Sequence, residues 1–392
     1  MPKKIYIEYM GCPKRGMDAT RFKHYFILNG CQVVNSPKTS DYNLYISCSF
    51  RKIREDNAIK RIKQLDRYKG ELIVAGCIKA INKERLDEVF KGKSLAASRH
   101  EDIDKFFPEF KVKFADVEDA RCIYPVNKLE LFKNYFFALR LDLNFFKRSI
   151  FYFSRRFFSR DHAHIRISWG CEDEHCTYCL IWRAVGRLKS KPLEICRKEF
   201  EDALKQGKKR IILLANNTGA YGTDINLSLP ELLEALLEVK GDYAIEIEDL
   251  HPFWMIKYSS QINELLKSGK IKALHCPIQS ASDRILELMN RRHTSEQLKN
   301  TLFMFKNTFP GLWLHTQVLL GFAYESEDDF KKTLSFIRDT GFHLVQVYGY
   351  SKNPYIKDPE IVKSQVSDEV IQRRVKEAIK FFKKNKILCA AA

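Results

Sequence analysis

Short strand-like runs alternate with helix-like runs along most of this chain. Before residue 118, alternating apolar positions predict strands at residues 3–9, 41–47 and 70–76, and helical periodicity predicts helices at 18–30 and 55–70. Successive strands separated by helices are joined by crossovers, which make the strands parallel. The first part of the chain is therefore predicted to be a flavodoxin-like parallel α/β domain.

The same alternation resumes in the second half of the chain. Strand-like runs are predicted at residues 163–169, 209–216, 243–249, 272–278, 312–322 and 342–350. Helix-like runs lie between them, at residues 192–207, 229–241, 262–270, 280–292 and 326–341. About six β/α units predict a partial (β/α)6 barrel, in which an active site would lie at the carboxyl ends of the strands. Cys171 follows the first of these strands.

A segment of different composition separates the two regions. Residues 131–160 are crowded with phenylalanine and basic residues, a pattern that predicts one or two amphipathic basic helices. We favour a linker whose aromatic face packs on a domain over a substrate or membrane-surface contact. The predicted organisation is an α/β domain at 1–118, an aromatic-basic linker or helical insertion at 119–160, and a barrel at 161–385.

Charge and cysteine content constrain the partners and the compartment. Lysine and arginine outnumber aspartate and glutamate by 67 to 49, a formal net charge of +18, which favours a polyanionic partner or simply a soluble, lysine-rich surface. We find no secretory signal, and no uninterrupted apolar run of the about 18 residues that a membrane span needs. Eleven cysteines in such a chain predict metal or redox chemistry in a reducing cytoplasm rather than a disulfide framework.

Three cysteines lie within nine residues, in the stretch SWGCEDEHCTYCLIW. Cys171, Cys176 and Cys179 could bind one soft metal centre, because ligands on a short loop can face the same point. A tetrahedral zinc ion would need a fourth ligand, which His175 could supply. Three thiolates also suit a [4Fe–4S] cluster with one iron left for a small cofactor. The spacing alone favours iron–sulfur only modestly.

Longer motifs narrow the choice. The run GCEDEHCTYC, with Gly186 and the SKP tripeptide at Ser190–Pro192, resembles the cluster loop of radical S-adenosylmethionine (SAM) enzymes, and specifically of the methylthiotransferase family. The stretches LLANNTGAYGTDINLSLPELL, LHCPIQSASDRILELMNRRHT and VLLGFAYESEDDF resemble further motifs of that family in the same order. The chain departs from the family in its C-x4-C-x2-C spacing, which is one residue longer, and in Val185, where the family usually has arginine.

The amino-terminal region carries three more cysteines that the resemblance explains. Cys12, Cys48 and Cys77 each follow a predicted strand, so they are expected at one edge of a parallel sheet. Without the resemblance, each would be interpreted as a buried core cysteine. With it, they become the expected ligands of a second [4Fe–4S] cluster. The other cysteines are interpreted as structural: Cys31, Cys122, Cys196, Cys276 and Cys389.

The resemblance also implies a chemistry. The cluster at Cys171, Cys176 and Cys179 would hold SAM and, once reduced, cleave it to a 5′-deoxyadenosyl radical that abstracts hydrogen from the substrate. The second cluster would present a methylated sulfur, and a second SAM would provide the methyl group. The expected partners are a reductant such as flavodoxin or ferredoxin and a sulfur donor. The expected SAM-binding residues are Tyr178, Gln279, Ser280, Gly321 and Lys191.

The sequence leaves the substrate open. Members of the family modify a ribosomal protein or adenosine-37 of tRNA, and both kinds normally end in a small β-barrel called TRAM, which we expect to be absent here. The run GCPK at Gly11–Lys14 resembles the ribosomal-protein branch, whereas NTGAYGTD and QSASDR resemble the tRNA branch. A peptide or protein substrate is slightly favoured, such as a ribosomally made peptide. A non-catalytic iron–sulfur binding protein is the alternative from another class.

Overall fold

The computed structural model describes residues 1–119, 162–172, 176–352, 356 and 359–391. The described residues form two compact units. The first contains residues 1–119 with the short stretches 169–171 and 180–187, and the second contains the remaining described residues. The domain boundaries predicted from the sequence stay predictions, and the aromatic-basic segment at 131–160 lies outside the described residues.

The first unit is built on a five-stranded parallel sheet. Its strands are β1 (Lys4–Tyr9), β2 (Gln32–Val34), β3 (Tyr42–Ser47), β4 (Glu71–Gly76) and β5 (Lys93–Ser94). Its helices are α1 (Pro13–Leu28), α2 (Lys52–Leu65), α3 (Ile78–Ile81) and α4 (Lys83–Asp87), with 3₁₀ turns at His100–Lys105 and Phe114–Asp116. The strand order is β2-β1-β3-β4-β5, which is the order of the flavodoxin-like fold and confirms the predicted class.

This sheet has a switch point between β1 and β3. From β1 the chain first adds β2 on one side, and then returns to add β3 and β4 on the other side. Loops that leave such a point in opposite directions open a crevice at the carboxyl edge of the sheet, where ligands usually bind. The three strands predicted here are confirmed as β1, β3 and β4. Cys12, Cys48 and Cys77 therefore follow three neighbouring strands.

Two helices of this unit begin earlier than the sequence predicted. α1 begins at Pro13 rather than at residue 18, because the fixed φ of proline and its missing N–H suit the first helical position. α2 begins at Lys52 rather than at residue 55. Both helices consequently start within four residues of a cysteine, so their amino termini lie at the same edge of the sheet as the thiols.

Apolar side chains cover both faces of the sheet. On one face, Phe22 and Phe26 of α1 contact Phe114 and Phe107. On the other face, side chains of α2 pack on β3 and β4 in a second buried cluster. Since large aromatic side chains bury about 150–250 Å² each, these contacts dominate the stability of the unit.

Most of the remaining elements belong to the second unit. The strands that follow in the chain are β6 (His162–Arg166), β7 (Ser168–Trp169), β8 (Lys189–Ser190), β9 (Arg210–Leu214), β10 (Ala244–Ile247), β11 (Ile271–His275), β12 (Trp313–Leu320), β13 (Leu344–Gly349) and β14 (Leu388–Ala391). The helices are α5 (Ile181–Val185), α6 (Leu193–Lys205), α7 (Leu229–Leu237), α8 (Pro252–Lys257), α9 (Ser259–Leu266), α10 (Asp283–Leu288), α11 (Ser295–Thr308), α12 (Glu327–Thr340), α13 (Pro359–Lys363) and α14 (Asp368–Lys384), with a 3₁₀ turn at Thr218–Ala220.

Seven of these strands form one parallel sheet, in the order β14-β13-β12-β11-β10-β9-β6. Six of them are the predicted strands, which confirms the predicted partial (β/α) barrel. The seventh, β14, was not predicted, because its run of leucine, cysteine and two alanines is short and has no polar alternation. Helix α11 was also missed, although Thr294 and Gln297 form a capping box at its start.

Side chains along the barrel strands alternate between two environments. Ile247, Leu274 and Leu314 pack among the helices in the large core cluster of this unit. Residues at the intervening positions, such as His275 and His315, are buried and polar. The alternation places polar side chains on the side of the sheet away from the helices, together with apolar ones such as Ile212. Among the described residues, no helix is both long and apolar enough to cross a membrane.

Candidate functional site

The three amino-terminal cysteines lie at the switch-point edge of the first unit. Cys12 directly precedes α1, Cys48 directly follows β3, and Cys77 lies between β4 and α3. A Cβ atom placed on Gly11 would lie 3.3 Å from Sγ of Cys48, so the loop after β1 contacts the loop after β3. Gly11 has a φ of +127°, which glycine adopts without strain. Glycine at this position therefore lets the two cysteine loops close on each other.

The thiols of this set influence one another. Cys12 is exposed, whereas Cys48 and Cys77 are 6% and 5% exposed. Burial raises the pKa of Cys77 to about 12, Arg15 opposes the rise, and Cys48 and Cys12 add to it. Burial likewise raises the pKa of Cys48, with Cys12 the next cause. These mutual effects indicate three neighbouring thiols, which are the ligands that a soft metal or cluster binds as thiolates.

Cys176 and Cys179 lie on a segment that is anchored at the carboxyl end of α10. The amide of Thr177 donates a 3.3 Å hydrogen bond to the carbonyl of Met289, and its hydroxyl donates a 2.7 Å bond to the carbonyl of Leu288. The amide of Cys179 donates to the carbonyl of Cys176 at 3.1 Å. The segment therefore turns tightly between two half-buried thiols.

Cys171 precedes this segment and is also half-buried. Its amide donates to the carbonyl of Gly186 at 3.0 Å, which ties the chain before the cysteine pair to the chain after it. Residues 173–175 lie outside the described residues. The place of Cys171 in the ligand set, and His175 as a zinc ligand, therefore stay predictions.

Arg291 is a site residue that the sequence analysis missed. Its Nη1 lies 3.7 Å from Sγ of Cys176 and 3.1 Å from Oη of Tyr178, and its Nη2 donates to the carbonyl of Pro277. Burial raises the pKa of Tyr178 far above the usual value, and the adjacent Cys176 adds to the effect. The buried guanidinium thus connects the cysteine segment, its aromatic residue and the end of a barrel strand. Arg291 lies in the MNRRHT run, which belongs to one of the stretches that resemble family motifs.

A further polar group supports the same segment. Glu172 accepts a 2.8 Å hydrogen bond from Nε1 of Trp254, and Nη2 of Arg292 lies 3.2 Å from its other oxygen. The guanidinium carbon of Arg292 stacks 4.0 Å above the ring of Phe253. The residue directly after Cys171 is therefore held by α8 and by the arginine next to Arg291.

Three predicted SAM-binding residues lie at the ends of neighbouring barrel strands. Gln279 follows β11 with a φ of +66°, and its amide donates to the carbonyl of Gln317 in β12 at 3.0 Å. Ser280 is buried, and its Oγ lies 3.3 Å from Oγ1 of Thr333. Gly321 directly follows β12. The three lie at the edge where a barrel binds its ligands, and their contact with SAM stays a prediction.

Lys191 is in a different environment from the one that the sequence suggested. Its Nζ lies 2.9 and 2.8 Å from the two carboxylate oxygens of Glu199, and the lysine is only 4% exposed. It is therefore not a solvated surface lysine. A buried ammonium held by both oxygens of one carboxylate has a structural explanation, so the site proposed below does not include Lys191.

Side chains on or after the neighbouring strands β10, β11 and β12 form a buried polar cluster that the sequence did not predict. Nδ1 of His275 lies 3.3 Å from a carboxylate oxygen of Glu248 and 3.3 Å from one of Asp249, and its ring stacks on His315 with 3.9 Å between centroids. Burial lowers the pKa of His275, but hydrogen bonds to Asp249 and then Glu248 raise it to about 9. The ring planes lie within 14° of each other, so their nitrogen lone pairs do not converge as those of two ligands would. We interpret the group as a buried pair of histidines held by two carboxylates.

The comparisons with known proteins agree with this geometry. Residues 167–337 match the model of the radical SAM superfamily, and residues 4–97 match the family described as uncharacterized protein family UPF0004. The chain is 30% identical over 401 residues to the ribosomal protein uS12 methylthiotransferase RimO of Acetivibrio thermocellus, covering 95% of this chain and 84% of the relative. It is also 30% identical over 357 residues to a probable threonylcarbamoyladenosine tRNA methylthiotransferase of Pyrococcus abyssi, covering 90% and 77%.

The fold and the cysteine segment define a radical SAM enzyme. Since both relatives are matched over most of their length, the chain belongs to the radical SAM methylthiotransferases. It is therefore a transferase, and the cofactors of its family are SAM and [4Fe–4S] clusters. Among solved structures, the radical SAM methyltransferase TsrM of Kitasatospora setae has a TM-score of 0.60 at 10% identity, covering 88% of this chain and 72% of that one. At this identity the likeness shows the fold alone.

Proposed function

We propose that this chain replaces an unactivated C–H bond of its substrate by C–SCH₃. The observation that carries the proposal is the convergence of Cys12, Cys48 and Cys77 at the switch-point edge of the first unit. A radical SAM enzyme with a single cluster needs the cysteines of the barrel alone. A second set of three thiols around a buried arginine suits a second iron–sulfur cluster.

The proposed ligands of the two clusters are these six cysteines. Cys171, Cys176 and Cys179 would hold the first, and Cys12, Cys48 and Cys77 the second. With SAM, the bound clusters would supply a one-electron cleavage of SAM and a methylated sulfur for transfer. Three thiolates leave one iron of a four-iron cluster without a cysteine ligand, which each of the two roles requires.

The protein's own residues orient and shield these groups. Arg291 holds Tyr178 beside Cys176, so the ring has a fixed place at the first cluster. Gln279 and Ser280, at the ends of the barrel strands, are proposed to face SAM. Tyr178, Gln279, Ser280 and Gly321 remain the proposed cofactor-binding residues, and the burial of Gln279 and Ser280 would exclude water from bound SAM.

For the substrate we favour a protein or peptide. The relatives include enzymes named for ribosomal protein uS12 and enzymes named for tRNA, at similar identity. The GCPK run at the Cys12 loop resembles the ribosomal-protein branch, and this loop belongs to the proposed second cluster. The net charge of +18 supports the second candidate, a tRNA adenosine.

The proposal is tested by anaerobic reconstitution followed by mass spectrometry. The reconstituted chain should hold about eight irons, against about four for a radical SAM enzyme with one cluster. With SAM and a low-potential reductant, it is offered ribosomal protein uS12 and, separately, unmodified tRNA. A gain of CH₂S on a side chain of the protein is the expected result.

The outcomes separate the alternatives. A CH₂S gain on an adenosine of tRNA alone would replace the protein substrate by the second candidate. About four irons, with SAM cleaved but no sulfur transferred, would overturn the methylthiotransferase proposal. A reconstituted chain that never cleaves SAM would indicate an iron–sulfur protein without this catalysis.

A further inference from the structure

A buried arginine lies among the amino-terminal cysteines. Arg15 is in the first turn of α1, three residues after Cys12, and is 5% exposed. Its Nε lies 3.1 Å from Oδ2 of Asp18, which is itself buried. Its Nη1 is buried too and has no hydrogen-bond partner among the described residues. A guanidinium stays protonated in a protein and keeps all its N–H donors. A buried N–H donor without a hydrogen-bond acceptor therefore costs free energy unless an acceptor binds next to it.

The arginine side chain runs past the cysteine loops. A Cβ atom placed on Gly11 would lie 3.5 Å from Cγ of Arg15 and 3.3 Å from Sγ of Cys48, so these two side chains flank the same backbone. Burial opposes the charge of Arg15, but Asp18 and then the three cysteines raise its pKa, which places all three thiols within its electrostatic reach. The unsatisfied Nη1 donor therefore lies in one group with the buried thiols of Cys48 and Cys77 and the exposed thiol of Cys12.

We propose that Nη1 of Arg15 donates a hydrogen bond to a sulfur atom of the cluster held by Cys12, Cys48 and Cys77, and makes that cluster easier to reduce. The inference rests on the proposed function, because it requires the second cluster. A reduced cluster carries one more negative charge than the oxidised one, so a buried cation with an N–H donor at its sulfur stabilises the reduced state more. Asp18 is the positioning residue, since its buried carboxylate forms the ion pair with Nε of Arg15.

The effect is measurable in the full-length chain without the first cluster. In a C171A/C176A/C179A background, iron bound after anaerobic reconstitution belongs to the amino-terminal set, and about four irons are expected. Reductive titration followed by electron paramagnetic resonance then gives the midpoint potential of that cluster. In R15Q/D18N, which removes the ion pair without stranding one charge, the midpoint potential should move to a more negative value. Arg15→Lys should shift the midpoint potential to a more negative value by a smaller amount, because lysine keeps the positive charge but lacks the planar set of guanidinium N–H donors.

Arg54 provides the matched control. It is exposed, and its charge also acts on Cys48. Because water and salt screen an exposed charge, Arg54→Gln should shift the midpoint potential less than R15Q/D18N does. An Arg54→Gln shift as large as that of R15Q/D18N would overturn the hydrogen bond, since any nearby charge would then have the same effect.

The remaining outcomes distinguish this inference from the proposed function. A background chain with about four irons whose potential is the same with and without Arg15 would overturn the inference and leave the second cluster in place. Retention of the parental potential in Arg15→Lys would overturn the directed hydrogen bond in particular. A background chain that binds no iron would overturn the second cluster, and the role of Arg15 with it.

Discussion

Nη1 of Arg291 lies 3.7 Å from Sγ of Cys176. The contact gives the cysteine segment of the second unit a buried positive charge, as Arg15 does for the cysteines of the first unit. An anionic cluster in a buried site needs such compensation, because its charge is otherwise poorly solvated. The two arginines therefore suit iron–sulfur chemistry at both sets of thiols.

We predict that Arg291→Gln lowers both the iron bound at the barrel site and the rate of SAM cleavage. The change removes the 3.1 Å hydrogen bond to Tyr178 and the donation to the carbonyl of Pro277. A hydrogen bond to a charged group is worth about 1.5–3 kcal/mol, so we expect cleavage to fall by about tenfold or more. The measurements are iron per chain and 5′-deoxyadenosine released under reducing conditions.

Arg292→Gln is the control for this prediction. Arg292 carries the same charge one residue later, but its contacts are with Glu172 and the ring of Phe253. Arg292→Gln should lose less iron and less cleavage than Arg291→Gln, because its guanidinium contacts Glu172 and not a cysteine. Equal losses in the two variants would mean that the general charge of this region matters, and not the contact between Arg291 and Cys176.

Cysteine variants should separate the two halves of the reaction. Cys176→Ala should abolish SAM cleavage, because the first cluster loses a ligand. Cys48→Ala should still cleave SAM but form no methylthio product, and its iron should fall by about half. Cys31→Ala, which removes a buried cysteine outside both sets, is the control and should behave as the unaltered chain. Methylthio product from Cys48→Ala would remove Cys48 from the second cluster.

A feature of the fold or of the site could be predicted from the sequence where it depends on residues close together along the chain. The strands were predicted well, because alternation and the following helices are local signals. The position of Cys12, Cys48 and Cys77 at one edge of the sheet could be predicted, because each follows a predicted parallel strand. Neither arginine could be found in this way. Arg291 reaches Cys176 across 115 positions, and the role of Arg15 depends on loops that close from three strands.

Burial was the property that the sequence could not give at Lys191. The sequence predicted a SAM contact for this lysine, which stays a prediction, and the structure pairs the lysine in the core with Glu199. Local sequence carries no signal for such a pairing, since Glu199 lies eight positions further along the chain, beyond the three- and four-residue spacings at which helix side chains meet.

The Lys191–Glu199 pair yields a stability prediction. Lys191→Met alone would leave a buried carboxylate without its partner and should lower the free energy of unfolding by about 3–5 kcal/mol. The double variant K191M/E199L replaces both charges by apolar side chains, so it should recover most of that loss. It should also cleave SAM normally, because we assign the pair a structural role. Denaturant unfolding and the cleavage assay test both points, and loss of cleavage in the stable double variant would return Lys191 to the SAM site.

Gly321 should tolerate no side chain, for a packing reason. It has a φ of +79°, and a Cβ atom there would lie 2.3 Å from Cγ1 of Ile371 on α14. Gly321→Ala should therefore combine backbone strain with a steric clash, at a cost on the order of 3 kcal/mol. Gly207→Ala is the control, since Gly207 has a similar φ of +76° but open space around it, and it should cost only about 1 kcal/mol. Equal melting temperatures for the two variants would contradict the clash.

Glu325 should make the stability of the chain fall as the pH rises. The carboxyl group lies next to Gly321, whose amide donates to it at 2.6 Å, and Nη1 of Arg374 lies 2.9 Å from the same oxygen. Burial outweighs these two contacts and raises the pKa of Glu325 to about 7 from the ordinary 4.5. A raised pKa means that the folded chain binds the proton more tightly than the unfolded chain does. The contribution is therefore fully present below pH 4.5 and is lost as the pH rises through 7.

The loss of unfolding free energy is at most about 3 kcal/mol, and Glu325→Gln should remove this pH dependence. The unfolding free energy of Glu325→Gln minus that of the wild type should therefore increase between pH 5 and pH 8. A constant difference would show that Glu325 does not titrate in this range.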